Sequence, residues 1–271
     1  YAAATGEDLI QGYQKLGNWV LALFAFITIG TMFTAQAAVT IVTAGLAINI
    51  FGITENPVVW SMIILGICTL ILTVGKYKLL DSLIKIIIIT LTISTVIAVI
   101  LALIKENITA PKLSFDLPLE GAGLVFLIAL MGWMPAPLDL SAWHSIWAIE
   151  KQKTTTENFD LRTSLLDFRI GYLGTIILAA SFLSLGALVM YNSGEIFANS
   201  AGAFSAQLIN IYTSALGDWA KWLIAIAAFT TMFSTTLTCL DALSRSIARA
   251  TTLTQSTRKT KVKTPKETGI P

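Results

Sequence analysis

The chain has 271 residues, 55% of them hydrophobic and only 13% charged, with a net charge of +2 and a mean hydropathy of +0.75. A soluble domain of this size carries charge on roughly a quarter of its residues, so this chain has too few charges to cover a water-facing exterior, and lipid is the expected solvent for much of its surface. One histidine and two cysteines cannot build a Cys/His metal cage, which disfavours a soluble metalloenzyme. Cys68 and Cys239 both lie inside apolar runs and read as small buried hydrophobes rather than a bridge. The first residue is Tyr1, with no basic segment or cleavage site after it, so the chain reads as an internal fragment.

A bilayer core of about 30 Å needs about 20 apolar residues per helix, and six segments are expected to meet that length. The first runs from about Leu16 to Phe51 without a charged residue between Lys15 and Glu55, longer than one crossing requires. The second runs from Pro57 to Val74, with proline placed to open a helix. The third covers about Leu79 to Ile104. Its β-branched block at 86–90 would suggest a strand in water, but in lipid a helix satisfies its own backbone. The fourth runs from Gly123 to Ile149 with two prolines in its middle, and the fifth from Leu165 to Tyr191. The sixth covers about Asp218 to Leu243, after a mildly amphipathic stretch from Ala203 to Leu216 that fits a short surface helix.

The expectation is therefore one all-α polytopic membrane domain over 1–250. A basic cytoplasmic loop or tail follows over 251–271, polar and without apolar periodicity. Charge sorts the connections. Lys15, Lys76, Lys78, Lys151, Lys153, Arg162 and the basic run from Arg245 to Lys266 fall at one set of ends, against Lys105 and Lys112 at the other. The positive-inside bias puts the first set in the cytoplasm, and six crossings agree with that parity.

Composition alone does not explain the middle of the fourth span. Proline lacks an N–H and crowds the carbonyl four residues earlier. Pro135 therefore releases the Met131 carbonyl, Pro137 releases that of Trp133, and Gly132 lets the chain turn between them. Carbonyls freed at the bilayer midplane need a partner, either a neighbouring helix or water, or a cation drawn by the negative end of the preceding half-helix. Met134 sets a soft thioether beside them, suited to a transition metal, although Met also fills cores routinely. Asp139, one turn beyond the break, is either an N-cap of the second half-helix or a carboxylate serving an ion or proton path. His144 is either a second titratable group on that path or a histidine bonded within the bundle. Gln36, Thr40 and Thr43 form one polar stripe on the first span, read first as interhelical hydrogen bonding and second as pathway lining.

The run Gly132-Trp133-Met134-Pro135-Ala136-Pro137-Leu138-Asp139 resembles the Met-Pro-His segment in the broken sixth helix of the Nramp family of divalent-metal transporters, in its Nramp-related bacterial branch. Thr34 to Thr40 with Phe51-Gly52 is similar to that family's third helix, and Phe233 to Thr238 to its eighth. The resemblance implies helices three to eight of an inverted-repeat, LeuT-like transporter in a bacterial inner membrane. It also implies a metal site using the Met134 side chain and the Met131 carbonyl. The cargo implied is a divalent metal, Mn²⁺ or Fe²⁺, moving into the cytoplasm with proton coupling and no resident cofactor. Ala136 stands where the family has histidine, the first span lacks the acids many members carry, and the family's first-helix ligands lie outside the chain. An amino-acid or other organic-solute permease of the same architecture is the alternative. It would hold a carboxylate on freed N–H groups, whereas this break offers carbonyls and sulfur.

Overall fold

The computed structural model describes residues 1–74, 77–105, 120–133, 139–154, 161–189, 198 and 200–263. Every regular element among them is helical. In order these are α1 (Ala2–Thr5), α2 (Leu9–Leu16), α3 (Asn18–Phe51), α4 (Pro57–Val74), α5 (Tyr77–Lys105), α6 (Gly121–Trp133), α7 (Leu140–Thr154), α8 (Leu161–Val189), α9 (Ala201–Leu216) and, after a 3₁₀ turn at Asp218–Ala220, α10 (Lys221–Lys263).

Among the described residues, four helices are long and apolar enough to cross a membrane: Asn18–Phe51, Pro57–Val74, Leu161–Leu188 and Asp218–Gln255. In the third of these only 6% of the apolar window is buried by protein, so its exposed leucines, isoleucines and phenylalanines need lipid around them. In the other two expected spans, apolar stretches among the described residues run over Leu91–Ile104 within α5 and Gly123–Gly132 within α6. At 34 residues and 1.5 Å per residue, α3 is about 50 Å long, well beyond a hydrocarbon core.

The helix ends follow their local chemistry. The Asn56 side chain accepts from the Val58 N–H at 2.9 Å, just ahead of Pro57 opening α4. Ser200 caps α9 through the Ala203 N–H, and Gly217, at φ 95°, ends it where a side chain would be strained.

The expected loop after 250 is helix as far as Lys263. The reason is an apolar stripe too sparse to register in so polar a segment: Ala250 and Leu253 are buried against Ile10, Leu21, Phe24, Ala142 and Ile146. Thr251, Thr252 and Thr254 each turn their hydroxyl onto the carbonyl four residues back at 2.8 Å, which removes their polar demand on solvent.

Contacts divide the chain into two compact units. Unit 1 comprises Tyr1–Met32, Pro111–Leu165 and Ala242–Pro271, and unit 2 comprises Phe33–Ala110 and Leu166–Asp241. The core of unit 1 is the cluster just named. Unit 2 holds one core of Ala98, Ala102, Leu185, Tyr212 and Ile224 and another of Ala44, Ala47, Trp60, Ile64, Cys68 and Leu237. Both cysteines are buried and free.

Within the first of these cores the Tyr212 and Thr95 hydroxyls share a hydrogen bond of 2.9 Å. Burial pushes the Tyr212 phenol up to about 12 against the opposing pull of Thr95, so the pair is neutral at physiological pH. Tyr212→Phe and Thr95→Val are each expected to cost about 1 kcal/mol. The double variant should cost less than the sum in thermal unfolding of the purified protein. Strict additivity would show that the two hydroxyls are not coupled.

Candidate functional site

Within the expected fourth span the described residues form two helices. α6 stops at Trp133 and α7 starts at Leu140, while Met134, Pro135, Ala136 and Pro137 lie outside the described residues. Neither proline can donate to the turn before it, which is reason enough for one helix to stop and another to start here. Met131 is 71% exposed at the end of α6, and a side-chain carbon added at Gly132 would meet nothing within 4 Å. Among the described residues no three His, Cys, Asp or Glu side chains converge to hold a metal.

Asp139 opens α7: its carbonyl accepts from the N–H groups of Ala142 at 3.0 Å and Trp143 at 3.1 Å. Its side chain turns to α3 instead, where the Thr31 hydroxyl donates to Oδ2 at 3.5 Å, and the residue is buried. His144 goes another way. It is exposed and meets the ring of Trp147 edge-on at 6.2 Å. Five residues turn a helix by about 140°, so Asp139 and His144 leave α7 on different faces.

Gln36 and Thr40 belong to unit 2. The Gln36 amide donates to the Thr40 hydroxyl at 3.3 Å and to the Thr236 carbonyl of α10 at 3.2 Å. One turn on, the Thr43 hydroxyl meets that of Thr236 at 2.9 Å and donates to the Met232 carbonyl at 3.1 Å. The stripe therefore ties α3 to α10. Among the described residues the buried Gln36 Oε1 atom has no partner.

One charged site escaped the sequence reading. Asp8 caps α2 by accepting from the Gln11 N–H at 2.9 Å, and the Gln11 side chain returns the bond to the Asp8 N–H at 3.2 Å. The other carboxylate oxygen takes the Arg249 Nε donor at 2.7 Å, and the adjacent Leu9 N–H donates to Ser145 of α7 at 2.9 Å. The Asp-x-x-Gln spacing of a capping box was the available signal. Its partners, more than a hundred residues away, left none.

A chain whose described residues form only helices, four of them apolar and of membrane length, is an integral membrane protein of the polytopic class. Residues 2–264 match the family model described as natural resistance-associated macrophage protein-like, and the chain belongs to that Nramp family. It is 41% identical over 249 residues to an uncharacterised protein of Pasteurella multocida, covering 90% of this chain and 57% of that one. The chain thus spans little more than half the length of the curated relative it matches. No solved structure matches it.

Proposed function

We propose that the chain is the central part of a secondary transporter that moves a divalent metal, Mn²⁺ or Fe²⁺, across the bacterial inner membrane into the cytoplasm with proton coupling. The observation carrying this reading is the Nramp family match over residues 2–264. A helix that ends at Trp133 and another that starts at Leu140 support it, since an inverted-repeat, LeuT-like architecture of six spans in this stretch would have two half-helices meet at the midplane.

In this reading the Met134 thioether and the Met131 carbonyl hold the metal from the α6 side of the break, with the remaining ligands supplied from outside the chain. Sulfur favours a soft or borderline ion over Mg²⁺ or Ca²⁺. Asp139 is the better proton carrier of the two candidates, since it is buried and faces α3 whereas His144 is exposed. Gln36 and Thr40, the polar pathway candidates of α3, hold that helix against α10. No catalytic group or resident cofactor enters the scheme, and lipid is the other partner.

The test is tracer uptake in proteoliposomes of the full-length protein. Met134→Ala should lower Mn²⁺ uptake at limiting metal about tenfold, or about 1.4 kcal/mol, and weaken competition by Cd²⁺. Unchanged uptake with unchanged Cd²⁺ competition would end the Met134 assignment. A full-length protein that takes up labelled amino acids and no metal would end the metal reading altogether.

A further inference from the structure

Among the described residues of unit 1, three buried polar atoms have no hydrogen-bond partner: Thr28 Oγ1 on α3, Trp143 Nε1 on α7 and Ser246 Oγ on α10. Thr28 and Ser246 are both 0% exposed and Trp143 is 6% exposed. Leaving a polar group dry at such depth is costly, and structures rarely do so.

The helix registers bring the three to one level. Thr28 precedes Thr31 by one turn and Trp143 follows Asp139 by one turn, while Thr31 and Asp139 touch. One turn further along both helices, Phe24 and Ile146 share a cluster with Ala250 and Leu253. Gln36 of α3 bonds to the Thr236 carbonyl of α10 while Leu21 and Phe24 share a cluster with Ala250 and Leu253, so the two helices run antiparallel and Ser246 falls near the Thr28 level. A polar layer thus lies between the apolar cluster and the break, with Asp139 at its rim.

The donor set indicates what fills the layer. A bare cation would suit the hydroxyls and the carboxylate but not the indole N–H, which can only donate. Water serves all of them, accepting from Trp143 and donating to Thr28, Ser246 or Asp139, and a buried water needs two to four such partners. We infer that Thr28, Trp143 and Ser246 enclose a small hydrated chamber that connects the Asp139 carboxylate to α10 and carries the coupling proton. This deepens the proposed transport reading and rests on it for the proton's role. Asp139 takes up a proton from the side of the break and passes it to a chamber water. Each hydroxyl along the way accepts one proton as it releases its own, so none is consumed. Of the ionisable residues nearby, α3 has none between Lys15 and Glu55, His144 is exposed on another face of α7, Arg249 is engaged by Asp8, and Arg245, next to Ser246 on α10, is exposed.

Two measurements on the full-length protein decide the matter. Radiolytic hydroxyl labelling should mark Trp143 strongly despite its burial, because activated chamber water lies against the ring. Thr28→Val combined with Ser246→Ala should lower that mark at least fivefold. Proton entry accompanying Mn²⁺ in proteoliposomes, read with an internal pH dye, should fall at least fivefold in the same double variant while tracer Mn²⁺ uptake changes less than twofold. An unlabelled Trp143, or one labelled equally in the variant, overturns the chamber whether or not the protein carries metal. Normal proton entry in a variant with lost labelling overturns the relay. Should the double variant not fold, Trp143→Phe, which removes only the indole donor, is read for proton entry in its place. Absent Mn²⁺ uptake in the unmodified protein counts against the transport reading and leaves labelling to judge the chamber.

Discussion

Gly45→Ala should destabilise the protein severely although it adds one carbon. A Cβ at this position would stand 2.2 Å from the Ala201 carbonyl oxygen, 2.5 Å from its carbon and 2.7 Å from Ser205 Oγ. The first two are backbone atoms, so α3 and α9 would have to part rather than a side chain swing aside. Parting them also stretches the Asn49 bridge, whose amide donates to the Gly45 carbonyl at 2.9 Å and the Gly202 carbonyl at 2.8 Å. Small residues let membrane helices approach closely, and here that approach supports a second layer of bonds. Overpacking of a rigid contact costs about 1–3 kcal/mol and sometimes more. Gly66→Ala is the control: a Cβ there meets nothing within 4 Å of α4, and the change should be neutral or stabilising by up to about 1 kcal/mol. Thermal unfolding of the two variants in the same detergent reads the difference. Equal midpoints would mean that α3 and α9 do not meet as closely as this.

Much of the frame was legible from composition and proline placement, because in lipid the backbone must satisfy itself and apolar length alone locates a helix. The Pro57 start follows from one missing N–H, while Pro135 and Pro137 lie outside the described residues. Period-free signals failed where burial depends on distant partners. Nothing local marks Ala250 and Leu253 as core, since their neighbours Ile10 and Phe24 are some 240 and 230 residues away. Polar pairing was partly readable. Gln36 and Thr43 recur at helical spacing and do face a neighbour, but the identity of Thr236 as that neighbour is a fact of the fold. Asp139 stood out as an acid in an apolar run. That its carboxylate leaves its own helix for Thr31 could not be read from spacing, since the capping geometry and the cross-helix one use the same residue at the same position.

Asp8→Ala should cost about 3 kcal/mol, the range for breaking a largely buried ion pair by removing one partner. Asp8 is 6% exposed at its side chain and Arg249 35%, so the guanidinium left behind keeps some solvent, which places the loss at the low end of that range. The same side chain caps α2, and losing a cap costs about 1 kcal/mol by itself. The two contributions separate in Asp8→Asn, which keeps an N-cap oxygen for the Gln11 N–H but surrenders the charge. It should recover the capping part and leave Arg249 unpaired. Pairing Asp8→Asn with Arg249→Met then removes both charges, and stability should return part of the way. The consequence reaches the divided helix: Leu9, next to the cap, donates to Ser145 of α7, six residues past Asp139. Loosening α2 therefore releases the half-helix that carries the Asp139 carboxylate. In proteoliposomes Asp8→Ala should depress transport more than Asp8→Asn, in the order of their stabilities. A variant that lost the ion pair yet kept both its thermal midpoint and its uptake would show that α2 does not anchor α7.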